Sequence, residues 1–277
     1  MTEFRPSRFQ ILPTVVKNLL IINGLVFLAQ NTLNSPSFNI DDTFALHAWQ
    51  SDLFKPWQLL THLFMHGSFS HIFLNMLALW MFGSVLENVW GSKRFLTFYL
   101  ICGLGAALMH LLALSYEMMP LMKDYAALFQ EQALKDPMEH NALIRFLQRY
   151  HVFEDPDGII KALQTQPLDP VSAAKIYDGI TNYYQHAISG ATLGASGAVF
   201  GVLAAFGYLF PNTYIYMYAL IPVKAKWFVL FYAALEIYEG IANSAGDNVA
   251  HWAHVGGALV GLLIVITWNR TNKKTFY

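Results

Sequence analysis

Residues Gly190 to Phe210 read GATLGASGAVFGVLAAFGYLF and carry no charge. By length and hydropathy such a run is a transmembrane helix, since about twenty apolar residues cross the hydrocarbon core. Near its start stand Gly194, Ala195, Ser196 and Gly197, followed by Gly201. Small residues let a second helix approach closely, and Gly197 with Gly201 forms a GxxxG pair. The serine also invites comparison with the soluble nucleophile elbow G-x-S-x-G, but position 198 is alanine and no strand precedes the serine. Packing alone explains this segment unless another part of the chain brings a base to Ser196.

The chain as a whole is built for a bilayer. Its 277 residues are 55% hydrophobic and only 13% charged, with a mean hydropathy of +0.37. A soluble domain would carry about one quarter charged residues. The expected fold class is therefore all-α, a polytopic membrane protein, with apolar segments near 13–33, 69–89, 95–114, 188–210, 225–242 and 249–268. Arg5 and Arg8, Lys93 and Arg94, Lys224 and Lys226, and Arg270, Lys273 and Lys274 fall on one side if there are six crossings. By the positive-inside rule both termini are then cytoplasmic. No small-x-small site follows Leu28-Ala29-Gln30-Asn31, so the first segment reads as an uncleaved span. A formal net charge of −1 with no basic run gives no sign of a nucleic-acid partner. The single cysteine, Cys102, has no partner for an internal disulfide and says nothing of redox compartment.

The last apolar segment holds Ala253-His254-Val255-Gly256-Gly257-Ala258-Leu259-Val260-Gly261. A histidine inside a span is costly and by default faces a cavity or a partner. Gly257 and Gly261, three and seven residues on, share its helical face, which can press against another small-residue face such as that of Ser196. A serine hydroxyl becomes a good nucleophile when a base in hydrogen-bond reach takes its proton, and a neutral imidazole is the usual base.

With GxSG in the fourth span, HxxGxxxG in the sixth and His71-Ile72-Phe73-Leu74-Asn75 in the second, the chain resembles the rhomboid family of intramembrane serine proteases. The likeness covers all the hydrophobic segments and includes Phe210-Pro211-Asn212 and the run Ile221 to Trp227. It implies a six-helix membrane domain, here residues 1–114 and 188–277, that cuts peptide bonds in or beside transmembrane helices of membrane-anchored proteins. Ser196 would be the nucleophile and His254 the general base, with Asn75, His71 and the Ser196 N–H stabilising the oxyanion. Gly194, Gly197, Gly257 and Gly261 would support the close packing, and Phe200, where relatives often have tyrosine, would stack on the imidazole. No cofactor or metal is implied, and no acidic third member is required. A bacterial inner membrane is the expected location. Counting 1.5 Å per residue puts Ser196 roughly 10 Å below its helix start, with His254 and Asn75 at similar depths. A rhomboid-like protein that binds membrane helices without catalysis is the alternative, although such relatives generally lack the serine or the histidine.

Other polar residues have plainer explanations. His251 lacks the following glycine register. His62 and His66, four apart, lack an HExxH glutamate and read as loop hydrogen-bonding groups. Glu236 and Glu239 are unusual at membrane depth; Glu239 is expected near the outer boundary, and Glu236 turned toward protein or water. Asp247 is not promoted to a triad, and His110 reads as a core or interface residue. In the outer loop 34–68, Trp57-Gln58 stands where many relatives have Trp-Arg. That loop fits either an embedded hairpin or an amphipathic loop. Residues 115–187 form an insertion read as a helical cap on the outer face, with helix starts at Asp136-Pro137-Met138-Glu139 and Asp169-Pro170, and a turn at Asp155-Pro156-Asp157-Gly158.

Overall fold

The computed structural model describes residues 9–33, 35, 38–128, 140–165, 169–217, 221–242 and 249–271. The chain is mostly helical, and it divides into two compact units. The larger comprises residues 1–46, 54–113 and 191–277; the smaller comprises 47–53 and 114–190.

In the larger unit, α1 (Thr14–Thr32) is followed by the short helices α2 (Ile40–Phe44) and α3 (Gln58–Thr61). A nearly continuous helix comes next, made of α4 (Phe69–Ala78), a π-turn at Leu79–Gly83, and α5 (Ser84–Trp90). Ser68 caps α4 by accepting from the His71 N–H, which fixes where the HxxxN pair begins its turn. Gly91, at φ 78°, reverses the chain into α6 (Ser92–Leu128). Glu87 is buried where α1 begins. Its carboxylate accepts from the Val15 and Val16 N–H groups at 2.8 Å each and from Ser92 Oγ at 2.6 Å. Those two amides lack partners inside α1, so the carboxylate serves as the cap of a helix whose own Pro13 cannot cap it. Phe95, Phe98 and Tyr99 of α6 are fully buried against Val16, Leu79 and Leu86.

Among the described residues, four helices are long and apolar enough to cross a membrane: Thr14–Thr32, Phe69–Trp90, Ser92–Leu128 and His251–Arg270. The other two expected spans differ in instructive ways. α11 (Ala225–Ala242) keeps the expected limits but carries Lys226, Glu236 and Glu239. α10 (Ser196–Leu209) has only 14 residues, because the chain from Gly190 to Ala195 is not helical. Gly194 explains the break: its φ of 135° lies where side-chain-bearing residues rarely go. Ser196 is consequently the first residue of its helix, and the expectation of roughly 10 Å of helix above it is corrected. A hairpin, Tyr214–Met217 paired antiparallel with Ile221–Lys224, joins α10 to α11.

The loop before α4 is built on side-chain anchors. Gln58, where relatives often have arginine, is fully buried; its Nε2 donates to the Asp42 and Thr43 carbonyls, and its Oε1 accepts from the Lys55 N–H. A neutral amide thus anchors the loop by hydrogen bonds alone. Gln30 of α1 adds a second tie, accepting from the His66 N–H at 3.0 Å.

The smaller unit contains α7 (His140–Tyr150), α8 (Pro156–Thr165) and α9 (Pro170–Ile188). Their apolar stripes enclose Leu143, Phe146, Leu147, Ile160, Leu163 and Ile180 together with Leu121 and Leu128 of α6. Asp169 caps α9 through the Val171 and Ser172 N–H groups, with Pro170 opening the helix as expected. The Asp155–Gly158 stretch is also a helix start rather than a free turn: Asp155 accepts from the Gly158 N–H and Pro156 begins α8. α6 continues through Pro120, well past the expected limit near residue 114. The proposed start at Asp136 lies outside the described residues, as does Asp247.

Candidate active site

The site is set by the contact of α10 with α12 (His251–Thr271). A Cβ added to Gly257 would meet the Gly197 carbonyl oxygen, and one added to Gly261 would lie 2.7 Å from the Gly201 Cα. Only glycines allow the two backbones to come this close. The match of Gly197 and Gly201 with Gly257 and Gly261 brings His254 Nε2 to 2.8 Å from Ser196 Oγ. Phe200, one turn beyond the serine, stacks on the imidazole with centroids 4.2 Å apart and planes 8° from parallel.

The segment leading to Ser196 is pinned on both sides. The Gly194 N–H donates to the His62 carbonyl at 3.0 Å, and His110 Nε2 lies 2.6 Å from Thr192 Oγ1. His110, expected as a core or interface residue, is therefore a brace for this segment. His62 Nδ1 donates to the Gln58 carbonyl at 2.8 Å, a loop bond as expected, and burial lowers its pKa from 6.5 to about 4. His66 packs edge-on against His71, with ring centroids 5.1 Å apart.

His71 lies directly against Gly194: a Cβ there would be 2.8 Å from both Cε1 and Nε2 of its ring and 3.4 Å from Ser196 Oγ. Any residue larger than glycine at 194 would displace the ring. Asn75, one turn further along α4, is 7% exposed, and its Nδ2 has no hydrogen-bond partner among the described residues. Buried donors are rarely left this way outside functional sites.

Glu236 was not assigned to the site from sequence, and the structure places it there. Its Oε2 is 2.8 Å from His254 Nδ1 and 2.7 Å from His251 Nδ1. Helical spacing gave no hint, because Glu236 and His254 belong to different helices 18 residues apart; the available signal was a carboxylate at membrane depth. His251 is therefore a neighbour of the base through the shared carboxylate. Glu239, partly exposed, takes no part in these bonds. The ligand atoms of Glu236, His251 and His254 lie within 4.8 Å of one another, a donor set zinc accepts, but the short N···O distances fit N–H groups donating to one oxygen. A largely apolar cavity of about 360 Å³ lies between α10, α11 and α12, with Phe200, Leu230, Glu236, His254 and Leu259 among its walls.

Apolar spans surrounding a serine hydrogen-bonded to an imidazole define a helical membrane protein. The rhomboid domain matches residues 53–123 and 171–270, and the chain belongs to the rhomboid family. It is 26% identical over 298 aligned positions to an uncharacterized mitochondrial rhomboid protein of Schizosaccharomyces pombe, covering 97% of this chain and 68% of that one. It is 25% identical to the mitochondrial RHOMBOID-like protein 12 of Arabidopsis thaliana, over 95% of this chain and 60% of that relative. Rhomboid protease GluP of Bacillus subtilis is 31% identical over 99 residues, 35% of this chain and 19% of that protein. The chain is thus an integral membrane protein. A bacterial inner membrane finds no support in relatives that match nearly the whole chain and are mitochondrial.

Proposed function

We propose that this protein is an intramembrane serine endopeptidase. The observation that carries the proposal is the 2.8 Å contact of Ser196 Oγ with His254 Nε2 at a helix start inside an apolar bundle. His254 takes the hydroxyl proton as Oγ attacks a substrate carbonyl carbon. The tetrahedral oxyanion is met by Asn75 Nδ2, by His71 and by the Ser196 N–H, which as the first amide of α10 has no carbonyl inside its helix to bond. The positive end of the α10 dipole points the same way. Collapse breaks the C–N bond, with the proton passing from His254 to the departing amine. Water, activated by the same imidazole, then hydrolyses the acyl-enzyme.

The substrate is a transmembrane segment of another protein. A regular helix holds its carbonyls in its own hydrogen bonds, so the segment must open locally at the site. The apolar cavity beside His254 gives a substrate side chain somewhere to settle. Residues 1–114 and 188–277 form the catalytic membrane domain in this reading, with 115–187 an accessory insertion. Lys93, Arg94, Lys224, Lys226 and Arg270 mark the side opposite the serine, and both termini lie with them.

The test is cleavage of a single-span substrate in lipid vesicles by the parent chain, Ser196→Ala and His254→Ala, with a fluorophosphonate probe alongside. The expected result is cleavage abolished in both variants, with labelling confined to Ser196. A folded parent chain that neither cleaves nor labels would overturn the proposal in favour of a rhomboid-like protein that binds membrane helices.

A further inference from the structure

Burying a carboxylate among apolar helices is costly and needs partners to offset it. Glu236 is 7% exposed on α11, and its partners are two imidazoles of α12. An imidazole whose Nδ1 carries the proton and donates it to Glu236 has a bare Nε2, the atom facing Ser196 Oγ. The opposite tautomer would place an N–H against the serine and a lone pair against a carboxylate.

Building on the protease reading, we propose that Glu236 is the positioning residue of the Ser196–His254 pair, so that the site works as a triad. The carboxylate holds His254 in the Nδ1–H tautomer with its ring fixed, and it stabilises the imidazolium formed when Ser196 gives up its proton. His251, donating to the same oxygen, keeps the carboxylate from swinging away. No group is consumed: the proton moves from Ser196 Oγ to His254 Nε2 and on to the leaving amine, and Glu236 stays ionised throughout. Phe200 fixes the plane of the ring by stacking, and Glu236 fixes its rotation within that plane. Among the described residues, the other titratable groups shown in electrostatic contact with or beside His254 are imidazoles: His251 on its own helix, His71 of α4 and His110 of α6. Among the described residues Glu236 is the carboxylate bonded to the base.

The experiment uses the full chain in lipid vesicles, measuring kcat and KM for a transmembrane peptide between pH 5 and 9, with melting temperatures alongside. Glu236→Gln should lower kcat by roughly 100-fold or more with little change in KM, the pattern of a lost transition-state contact. The acid limb of its kcat/KM profile should move to lower pH, because an amide does not stabilise protonated imidazole. Glu236→Asp, with the charge retained but one methylene short, should restore the position of the acid limb with only part of the rate. A Glu236→Gln chain with near-parental kcat and an unmoved acid limb would reduce Glu236 to a packing role while leaving the protease reading intact. A parent chain without activity or probe labelling would instead remove the protease reading itself. If neither variant folds, the nitrogen-15 histidine spectrum of the parent decides: Nδ1–H at His254 is expected, and Nε2–H would overturn the proposal.

Discussion

Replacing Gly257 by alanine is expected to slow catalysis by about 100-fold without dismantling the bundle. The added methyl would run into the Gly197 carbonyl oxygen on α10. The milder case at Gly261 supplies a lower bound for the displacement: a Cβ there would lie 2.7 Å from the Gly201 Cα, whereas carbon atoms settle at about 3.5 to 4.0 Å. The helices must therefore part by about 1 Å or more. His254 lies one turn before Gly257 and moves with it. Its 2.8 Å bond to Ser196 would open to roughly 3.8 Å, beyond hydrogen-bond reach. A misplacement of this size costs on the order of 100-fold in rate, and the overpacking costs about 1 to 3 kcal/mol of stability. Gly24→Ala is the control, because a Cβ at that position meets no atom within 4 Å. The assay is kcat/KM for a transmembrane peptide in vesicles, with thermal unfolding in detergent to confirm that each variant folds. If Gly257→Ala cleaved within threefold of the parent, the glycine contact would not be what sets the distance between Ser196 and His254.

Asn75→Ala should lower kcat by about 100- to 1,000-fold, as loss of one oxyanion donor does, without loss of thermal stability because Nδ2 makes no bond in the resting site; a large drop in melting temperature would mean that Asn75 is mainly structural. Glu87→Ala removes the acceptor from two helix-end amides and a serine, and should destabilise the chain by about 3 kcal/mol, read by unfolding in detergent. For His62, burial holds the folded pKa at about 4 against 6.5 unfolded, so stability is complete above pH 6.5 and falls by about 3 kcal/mol as the pH drops toward 4. His62→Gln should flatten that part of the melting-temperature profile, and an unchanged slope would assign the loss to another group.

The faces carrying Gly197, Gly257 and Gly261 and the position of Phe200 were legible because their signals are local, whereas the pairing of Ser196 with His254 came from the resemblance. A glycine three or seven residues from a histidine marks a face whatever the partner helix turns out to be. The limits of α11 were equally legible from apolarity. The break before Ser196 was not, because Gly190 to Ala195 is as uncharged as a helix, whereas Ala191–Thr192 is a short strand and Gly194 has a positive φ. Glu87 and Gln58 escaped for the opposite reason: their partners are backbone groups 71 and 72 residues away for the first, and 15 and 16 for the second, and no spacing rule connects a side chain to a distant amide. Glu236 lies between these cases. Its cost at membrane depth marked it as a residue needing partners, but which groups would be its partners depended on how α11 and α12 pack. The run of α6 through Pro120 shows tertiary packing overriding a residue that ordinarily interrupts helices.

The shortness of α10 makes the protein a depth gauge. Fourteen residues of helix measure about 21 Å, while the hydrocarbon core is about 30 Å thick. With its far end at the opposite interface, α10 leaves its first residue roughly 9 Å beneath the near one. On the protease reading proposed above, the bond cut is then selected by how far it lies below the lipid headgroups. Sliding a substrate's apolar segment by two positions relative to its flanking charges should move the cut by two positions along its sequence.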